Sequence, residues 1–375
     1  MRHPAELSAV LSLTRGALIL LLSVAFACSV PVSAAGQPPV LFSSAPEALP
    51  VHNPGFECSQ GYHQQPHIDG LVPDGWTAVP LAGQPRLNSA RIEFAGSCAG
   101  AGFVERLADN DSMVFLSEDI ESPPEPGKPF DVALFQQVSV TPGSAYSLSG
   151  WMVSLCGGSA MPNDCPSGVY ISKMLGLDPT GGVDPRAETV VWAEDRRNFT
   201  ESRWANLRVG VVAESSSLTL FVRILSPFRW HGAHAFVDAI SLMPAPTAGF
   251  VGLAGKVGFP ATDALISWSG ALPTEIALVP GGTYGLLFDL QYRQGADSVW
   301  EDLLIGSTQS SIGFTIDGCR APFTYALRVR ARAEQPAGVP GAWPNHRYTG
   351  VWRESGQLTF NTTAACIPRV YLPLP

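Results

Sequence analysis

The segment Ser226–His234 carries the densest group of side chains that could bind a ligand. It lies between two apolar runs, so it is predicted to be a loop. Flat aromatic rings stack against sugar rings, and planar polar groups exchange hydrogen bonds with sugar hydroxyls. Two tryptophans from the same half of the chain are added to the residues of this segment. The candidate ligand-binding residues are Trp192, Trp204, Phe228, Arg229, Trp230, His231 and His234. The alternative is that these rings fill the core of the fold.

Side chains for covalent or metal-dependent catalysis do not occur in a recognisable spacing. Beyond the N-terminal segment, the sequence contains no GxSxG, HExxH, phosphate-binding or dinucleotide-binding glycine pattern. Paired carboxylates for glycoside cleavage cannot be identified from spacing, because they meet only in the folded chain. No catalytic residue is therefore predicted, and an extracellular hydrolase or lyase stays open as an alternative.

The loop Asp178–Pro185 has two carboxylates on either side of a Gly-Gly turn. Such a loop could bind a cation or shape a ligand cleft. A tight connection, in which the aspartates accept hydrogen bonds from local backbone amides, is the preferred prediction.

Six cysteines follow Cys28, and an even number of cysteines in an exported protein indicates disulfide bonds. The sequence has no CxxC pair, which argues against a zinc site. The connectivity is not fixed by the sequence. The division into domains given below favours Cys319–Cys366 in the C-terminal part, and we prefer Cys58–Cys98 and Cys156–Cys165 in the first domain.

The first 35 residues have the features of a secretory signal peptide. Arg2 and Arg15 precede the apolar run 16–27, which is too short to cross a bilayer, and residues 32–34 fit a small-x-small cleavage site. Lipidation at Cys28 is the alternative. No later segment is long and apolar enough for a transmembrane helix, so the mature chain is predicted to be secreted or extracellular. Residues 36–50 would be a flexible lead-in.

The composition excludes several protein classes. Of 375 residues only 15% are charged, while 37 are Gly and 33 are Pro, so the chain is neither a coiled coil nor a charged helical bundle. The formal net charge of −9 argues against a nucleic-acid partner, which needs a basic face for the phosphates. The length predicts about two domains.

Apolar side chains alternate along several short runs, and this period of two predicts β-strands. Examples are the runs 146–153, 207–211 and 218–224, and we find no convincing long helix. Many short strands between turns predict an all-β chain of sandwich or barrel domains. Pro244 and Pro246 would end the last strand of the first block, because proline cannot donate a ladder hydrogen bond, and they predict a linker at 245–262.

Four motifs occur together in residues 51–244: the opening Val51–Glu57, the early Pro73–Trp76, the centre Phe135–Trp151 and the closing Ala235–Leu242. Together they resemble the carbohydrate-binding-module type of galactose-binding-like jelly roll. The resemblance implies a β-sandwich that binds a glycan or a cell-surface polysaccharide. It also implies a structural calcium ion where the first and last strands are neighbours, held by the carboxylates of Glu57 and Asp238 and by backbone carbonyls.

A second group of motifs lies in residues 263–353, and consists of Trp268, the run 287–293, the turn 300–303 and the run 325–331. These residues resemble a fibronectin type III domain. The resemblance implies a second β-sandwich, in which Trp268 fills the core and Tyr325 forms the tyrosine corner. Such a domain serves as a spacer or an adhesive module. Residues 354–375 would form a C-terminal tail.

The sequence therefore predicts a secreted, non-catalytic binding protein made of two β-sandwiches. The jelly roll would recognise a glycan, with calcium as a structural ion, and the fibronectin-like domain would position it. The first alternative is an extracellular structural or adhesion protein that binds protein partners. The second alternative is the glycan-active hydrolase or lyase named above.

Overall fold

The computed structural model describes residues 51–91, 100–101, 111–116, 128–155, 165, 167–198, 204–228, 233–257, 261–277, 283–296, 298–317, 323–335, 346–355 and 358–360. The predicted signal peptide, the lead-in and most of the tail lie outside these ranges. In the described residues the only helices are a 3-10 turn at Cys58–Gln60 and the short helix α1 (Thr274–Ala277). None of them is long and apolar enough to cross a membrane. The all-β prediction is thus confirmed.

The N-terminal sandwich is built from strands that mostly alternate between its two sheets. In chain order they are β1 (Tyr62–His63), β2 (Asp69–Gly70), β3 (Val72–Pro73), β4 (Thr77–Ala82), β5 (Arg86–Arg91), β6 (Gly100–Ala101), β7 (Asp111–Leu116), β8 (Phe130–Ser139), β9 (Ala145–Leu155), β10 (Ser172–Asp178), β11 (Val191–Asp195), β12 (Ala205–Val212), β13 (Ser217–Ser226) and β14 (His234–Pro244).

Two sheets enclose the core of this sandwich. The five-stranded sheet has the antiparallel order β11-β10-β13-β8-β4, and the seven-stranded sheet has the order β12-β9-β14-β7-β5-β2 with β6 beside β5. Leu134 and Leu220 of the first sheet and Leu148 and Val237 of the second belong to one buried cluster. Burying each such side chain contributes about 1.5–3 kcal/mol to folding.

The period of two in the sequence corresponds to real strands. In β12, Leu207, Val209 and Val211 are buried, while the residues between them are half-buried. The predicted strands at 146–153, 207–211 and 218–224 are all present. In β13, however, apolar side chains occupy both faces, which sets its outer face apart from that of an ordinary solvent-facing strand.

The C-terminal sandwich follows without a break in the strand pattern. Its strands are β15 (Thr247–Val257), β16 (Ala261–Ala271), β17 (Gly285–Gln294), β18 (Glu301–Ser307), β19 (Ser311–Asp317), β20 (Phe323–Glu334), β21 (Tyr348–Thr349), β22 (Arg353–Glu354) and β23 (Leu358–Phe360). One sheet has the order β15-β16-β19, and the other has β18-β17-β20-β21, with β22 and β23 also paired to β20.

Trp268 lies in the core of this second sandwich, as predicted. It is buried and contacts Phe288, with 6.2 Å between the ring centroids. Tyr325 is also buried, and its ring centroid lies 6.3 Å from that of Tyr292. The tyrosine-corner role of Tyr325 and the fibronectin assignment stay predictions.

The predicted linker at 245–262 is wrong for most of its length. Residues 247–257 form β15, which pairs antiparallel with β16 from Thr247↔Ala271 to Val257↔Thr262. Pro244 does end the strand before it, but only Ala245 and Pro246 separate β14 from β15. The second sandwich therefore begins earlier than the predicted residue 263.

The two sandwiches belong to one compact unit and meet through polar and backbone contacts. The backbone N–H of Thr349 donates to Ser147 Oγ at 2.9 Å, and Ser241 Oγ lies 2.8 Å from the Tyr348 hydroxyl. Gly210 makes a close approach possible, because a Cβ there would lie 2.6 Å from the carbonyl oxygen of Thr349. Apolar residues from both sides of this junction cluster as Met243, Leu272, Ile276, Tyr284, Ala333 and Tyr348.

Cys58 and Cys165 are both disulfide-bonded. Their predicted partners, Cys98 and Cys156, lie outside the described residues, and so do Cys319 and Cys366. The three predicted pairings therefore stay predictions. A disulfide bond of this kind stabilises a fold by about 2–4 kcal/mol, mainly by restricting the unfolded chain.

Candidate functional site

The outer face of the five-stranded sheet carries a row of aromatic side chains. Successive side chains of a strand point to opposite faces, so Phe221 of β13 points outward between the core residues Leu220 and Val222. Strand register then aligns outward-facing residues of all five strands in the order Trp192, Gly176, Phe221, Phe135 and Thr77. We call the three rings Trp192, Phe221 and Phe135 the aromatic row.

Trp192 is held flat by the absence of a side chain on the neighbouring strand. A Cβ atom on Gly176 would lie 2.6 Å from both Cε3 and Cζ3 of the indole ring. The ring therefore fills the space that a side chain at position 176 would need, and one of its faces rests on β10. Trp192 is half-buried, so part of the ring stays accessible to a ligand.

The two phenylalanines support this ring. Phe221 is fully buried, and its ring centroid lies 5.8 Å from that of Trp192 and 6.1 Å from that of Phe135, at tilted angles. Phe135 is half-buried at the far end of the row. Contacts of this kind contribute about 0.5–1.5 kcal/mol each beyond the burial of area. Phe221 is thus a support, and Trp192 and Phe135 are the candidate contact residues.

A charged pair lies beside the aromatic row. Arg223 Nε and Nη2 donate to Asp131 Oδ1 and Oδ2 at 2.8 and 2.6 Å, which is a bidentate geometry. The hydrogen bond that Arg223 donates to Asp131 raises the pKa of Arg223. The guanidinium carbon of Arg223 also lies 6.0 Å from the centroid of the Trp192 ring. A fixed donor and acceptor pair therefore adjoins the exposed indole.

A second aromatic pair lies at the end of the same sheet, where β10 begins and β13 ends. The rings of Tyr170 and Phe228 meet edge to face, with 5.2 Å between their centroids. The guanidinium carbon of Arg196 lies 4.8 Å from the centroid of the Tyr170 ring. Phe228 was predicted as a ligand-binding residue, and it contacts Tyr170 rather than Trp192.

Glu194 connects the two aromatic groups on the outer face. Arg196 Nε donates to Glu194 Oε1 at 2.6 Å, and Ser172 Oγ donates to the same oxygen. Burial opposes ionisation of Glu194, but the hydrogen bonds from Arg196 and Ser172 outweigh it and lower the pKa of this carboxyl group. The outer face thus presents a row of rings, an arginine–aspartate pair and an ionised glutamate.

The predicted ligand-binding residues do not form one site. Trp204 packs beside Val153 and Phe236 on the seven-stranded sheet, away from Trp192. His234 is buried on β14 and stacks parallel to Phe236, with 6.4 Å between the ring centroids. Both therefore lie on the seven-stranded sheet, whereas Trp192 lies on the five-stranded sheet. A ligand-binding role for Trp204 and His234 stays a prediction.

Three predicted ligand-binding residues, Arg229, Trp230 and His231, lie outside the described residues. Conversely, sequence reasoning missed several residues of the outer face. The alternation of 218–224 was a usable signal for Phe221 and Arg223, because it marks the odd positions as one face. It could not show which face points outward, and the missed residues are Asp131, Phe135, Phe221 and Arg223.

The opening segment of the chain contacts the closing strand at a β-bulge. The N–H of Ile240 donates to the carbonyl of Pro54 at 2.8 Å, and the register of β14 shifts after Asp238. Carboxylate oxygens of Glu57 and Asp238 are shielded from solvent. Among the described residues, no three His, Cys, Asp or Glu side chains form a metal-binding group. A calcium ion here would depend on two carboxylates and backbone carbonyls, and it stays a prediction.

The loop Asp178–Pro185 is a tight connection, as preferred from the sequence. Asp178 Oδ1 accepts hydrogen bonds from the backbone N–H and the hydroxyl of Thr180 at 2.8 and 2.7 Å, and Oδ2 accepts from Thr189 Oγ1 at 2.9 Å. Asp184 Oδ1 accepts from the N–H of Arg186 at 2.9 Å. These acceptor atoms are thus used by Thr180 in the loop and by residues that closely follow it.

No protein-family model matches the sequence, and no curated protein matches it. The matches to solved structures are weak. A family 61 carbohydrate-binding module solved with beta-1,4-galactotriose is 15% identical, with a TM-score of 0.31 over 53% of this chain and 99% of that one. The tandem CBM22 domains of Xyn10C from Paenibacillus barcinonensis are 14% identical, with a TM-score of 0.24 over 76% and 94% of the two chains.

A third neighbour is the adhesin domain of Epf from Streptococcus pyogenes. It is 9% identical, with a TM-score of 0.23 over 68% of this chain and 77% of that one. All three likenesses are low in identity and in TM-score. The function proposed below therefore depends on the residues of the sheet face.

Proposed function

We propose that this chain is a secreted, non-catalytic glycan-binding protein, and that the outer face of the five-stranded sheet is its ligand surface. The observation that supports it most directly is Trp192, held flat over Gly176 beside the Arg223–Asp131 pair. A sugar ring offers an apolar face for stacking and hydroxyl groups for hydrogen bonds, so it needs both elements side by side.

The geometry lowers the cost of ordering the site on binding. Trp192 already rests on β10. Asp131 holds the Arg223 side chain in place by accepting hydrogen bonds from its Nε and Nη2 atoms. Side chains that are fixed before binding lose little conformational entropy when the ligand arrives, and each mobile one would cost about 0.5–1.5 kcal/mol. The face is therefore suited to weak-to-moderate recognition of a neutral sugar.

The state of the carboxylates on this face supports a binding role over a hydrolytic one. A glycosidase needs one carboxylic acid with a raised pKa to protonate the leaving group. The pKa of Glu194 is lowered by Arg196 and Ser172, although burial opposes this. Asp131 accepts two hydrogen bonds from Arg223, so both of its carboxylate oxygens are already engaged. Glu194 therefore does not have the environment of a general acid.

The proposal also includes export of the protein and a role for the second sandwich. Secretion is proposed from the signal-peptide features of residues 1–35, and is consistent with the disulfide-bonded state of Cys58 and Cys165. The C-terminal sandwich would be a fibronectin type III-like spacer, because its two sheets enclose Trp268 and it packs directly on the first sandwich.

A glycan array probed with residues 36–375, with and without calcium, tests the proposal. We expect Trp192→Ala to weaken binding of the selected glycan by about 30-fold, as for a central aromatic contact. Val191→Ala is the matched control, because Val191 is exposed on the same strand and points to the other face. Failure of the wild-type protein to bind any glycan would overturn the proposal and favour the adhesion alternative.

A further inference from the structure

Arginine and tryptophan side chains alternate in a stack on the C-terminal sandwich. The guanidinium carbons of Arg293 and Arg328 lie 4.5 and 4.3 Å from the centroid of the Trp300 ring. Those of Arg328 and Arg330 lie 4.6 and 4.4 Å from the centroid of the Trp352 ring. We call these five residues the arginine–tryptophan ladder. Arg293 extends from β17 and Arg328 and Arg330 from β20, which are paired strands.

Arg328 occupies the middle of the ladder and differs from its neighbours in its charge partners. Arg330 Nε donates to Asp289 at 2.8 Å, and Arg293 Nη2 lies 3.7 Å from Glu354. Arg328 Nε donates to the amide oxygen of Gln291 at 2.7 Å. Within the residues that the structure describes, Arg328 makes no ion pair.

The surroundings of Arg328 make its positive charge costly. Burial lowers the pKa of Arg328, and repulsion from Arg330 and Arg293 adds to this, against the opposing effect of Glu354 and Asp302. A carboxylate or sulfate placed against its free terminal nitrogens would relieve that repulsion. Guanidinium groups form bidentate pairs with such anions, and stacking on an indole ring holds the group in a fixed plane.

We propose that the arginine–tryptophan ladder is an anion-binding surface for glycans that carry carboxylate or sulfate groups, with Arg328 as the central contact. Each indole of the ladder already has two guanidinium groups close to its ring, so the rings are used by arginines and not left for stacking a neutral sugar. The surface therefore differs in chemistry from the aromatic row around Trp192.

The net charge of the chain opposes the binding of polyanions. At −9 the protein as a whole repels them, so binding at the ladder would depend on its guanidinium groups. The choice of a glycan over an acidic peptide rests on the function proposed for the first sandwich. Because the site lies on a different sandwich, failure of this proposal can be distinguished from failure of the first one.

Binding of the wild-type protein to immobilised polymers tests the proposal. Polygalacturonate supplies carboxylates and dextran sulfate supplies sulfates, while methyl-esterified polygalacturonate and dextran are the neutral counterparts. We expect binding to one or both anionic polymers to exceed binding to their neutral counterparts and to fall as salt is raised. Equal binding to the neutral and charged forms would overturn the proposal. Equal binding to polyglutamate would overturn the assignment to glycans.

Substitution of the central arginine locates the site. We expect Arg328→Gln to weaken binding of the anionic polymer by about 10-fold. Arg186→Gln is the matched control, because it makes the same charge change at an exposed loop of the other sandwich. Arg328→Lys keeps the charge but not the planar guanidinium group, so it should lose part of the affinity. This second variant tests the proposal if Arg328→Gln does not fold. Equal losses in Arg186→Gln and Arg328→Gln would overturn the proposal.

Discussion

At the scale of single residues, the candidate ligand surface depends on a glycine as much as on a tryptophan. Trp192 lies at the edge strand β11, where a large ring could point in many directions. Because Gly176 has no side chain, the ring lies against the neighbouring strand, and Phe221 fixes its inner edge. The exposed part of the indole is therefore presented in a defined orientation.

This pairing predicts that Gly176→Val will weaken glycan binding although Trp192 is still present. The new side chain would occupy the place of the ring and displace it from the strand. We expect a loss of about 10-fold or more in affinity, measured by titration calorimetry with the glycan selected on the array. Gly313→Val is the control, because a Cβ at that position of β19 meets nothing within 4 Å and the backbone there is not in the left-handed region. Undiminished affinity of Gly176→Val would contradict the role given to the flat ring.

Residue types alone predicted part of the candidate surface. Trp192 and Phe228 were predicted because aromatic residues beside polar ones are typical of sugar binding, and both lie on the outer face or at its end. Trp204 and His234 were predicted on the same grounds, yet they belong to the seven-stranded sheet. Composition shows which side chains could bind, whereas strand pairing decides which of them share a face, and pairing partners far apart in sequence are not visible in a local pattern.

At the scale of secondary structure elements, strands with clear alternation were predictable and the glycine-rich strand was not. Strand β12 alternates strictly, so its pattern indicates a strand directly. Strand β15 contains Gly249, Gly252 and Gly255 after two prolines, which is typical of a linker. It is a strand because its backbone pairs along β16. These hydrogen bonds stabilise the extended conformation, although the local sequence does not favour it.

The proposed calcium ion would lie at the β-bulge of β14, and its presence can be tested by thermal unfolding. If an ion is held by Glu57 and Asp238, calcium should raise the midpoint of thermal unfolding by about 5 °C relative to EGTA, because it binds only the folded chain. Asp238→Asn should abolish this response. Asp184→Asn, in the loop that uses its own carboxylate, should keep it. The same midpoint in calcium and in EGTA would contradict the proposal.

At the scale of the whole molecule, the two sandwiches are held together by their contacts and not by a linker alone. Thr349 and Tyr348 bind serines of the first sandwich, and Arg208 of the first sandwich pairs with Glu334 of the second at 2.9 Å. Burial, with repulsion from Arg332, lowers the pKa of Arg208 to about 10, so it keeps its charge at neutral pH. We therefore expect the two sandwiches to unfold together rather than in separate steps.

The junction also contains a histidine that makes this joint unfolding sensitive to pH. His346 Nδ1 lies 3.2 Å from Ser149 Oγ of the first sandwich, and its ring centroid lies 5.9 Å from that of Tyr348. Burial lowers the pKa of His346 from 6.5 to about 4. The imidazole is therefore neutral in the folded protein over a range in which the unfolded chain already binds a proton.

The sign of the pH dependence follows from that difference. Between pH 6.5 and about 4 the unfolded state binds the extra proton, so the free energy of unfolding should fall as the pH falls through this window, by up to about 3 kcal/mol. Above pH 6.5 the histidine contributes no slope. Thermal unfolding of the wild-type protein at pH 7 and pH 5 should therefore show a lower midpoint at pH 5, and His346→Gln should reduce this difference. An equally large difference in His346→Gln would show that other groups govern the pH response of the junction.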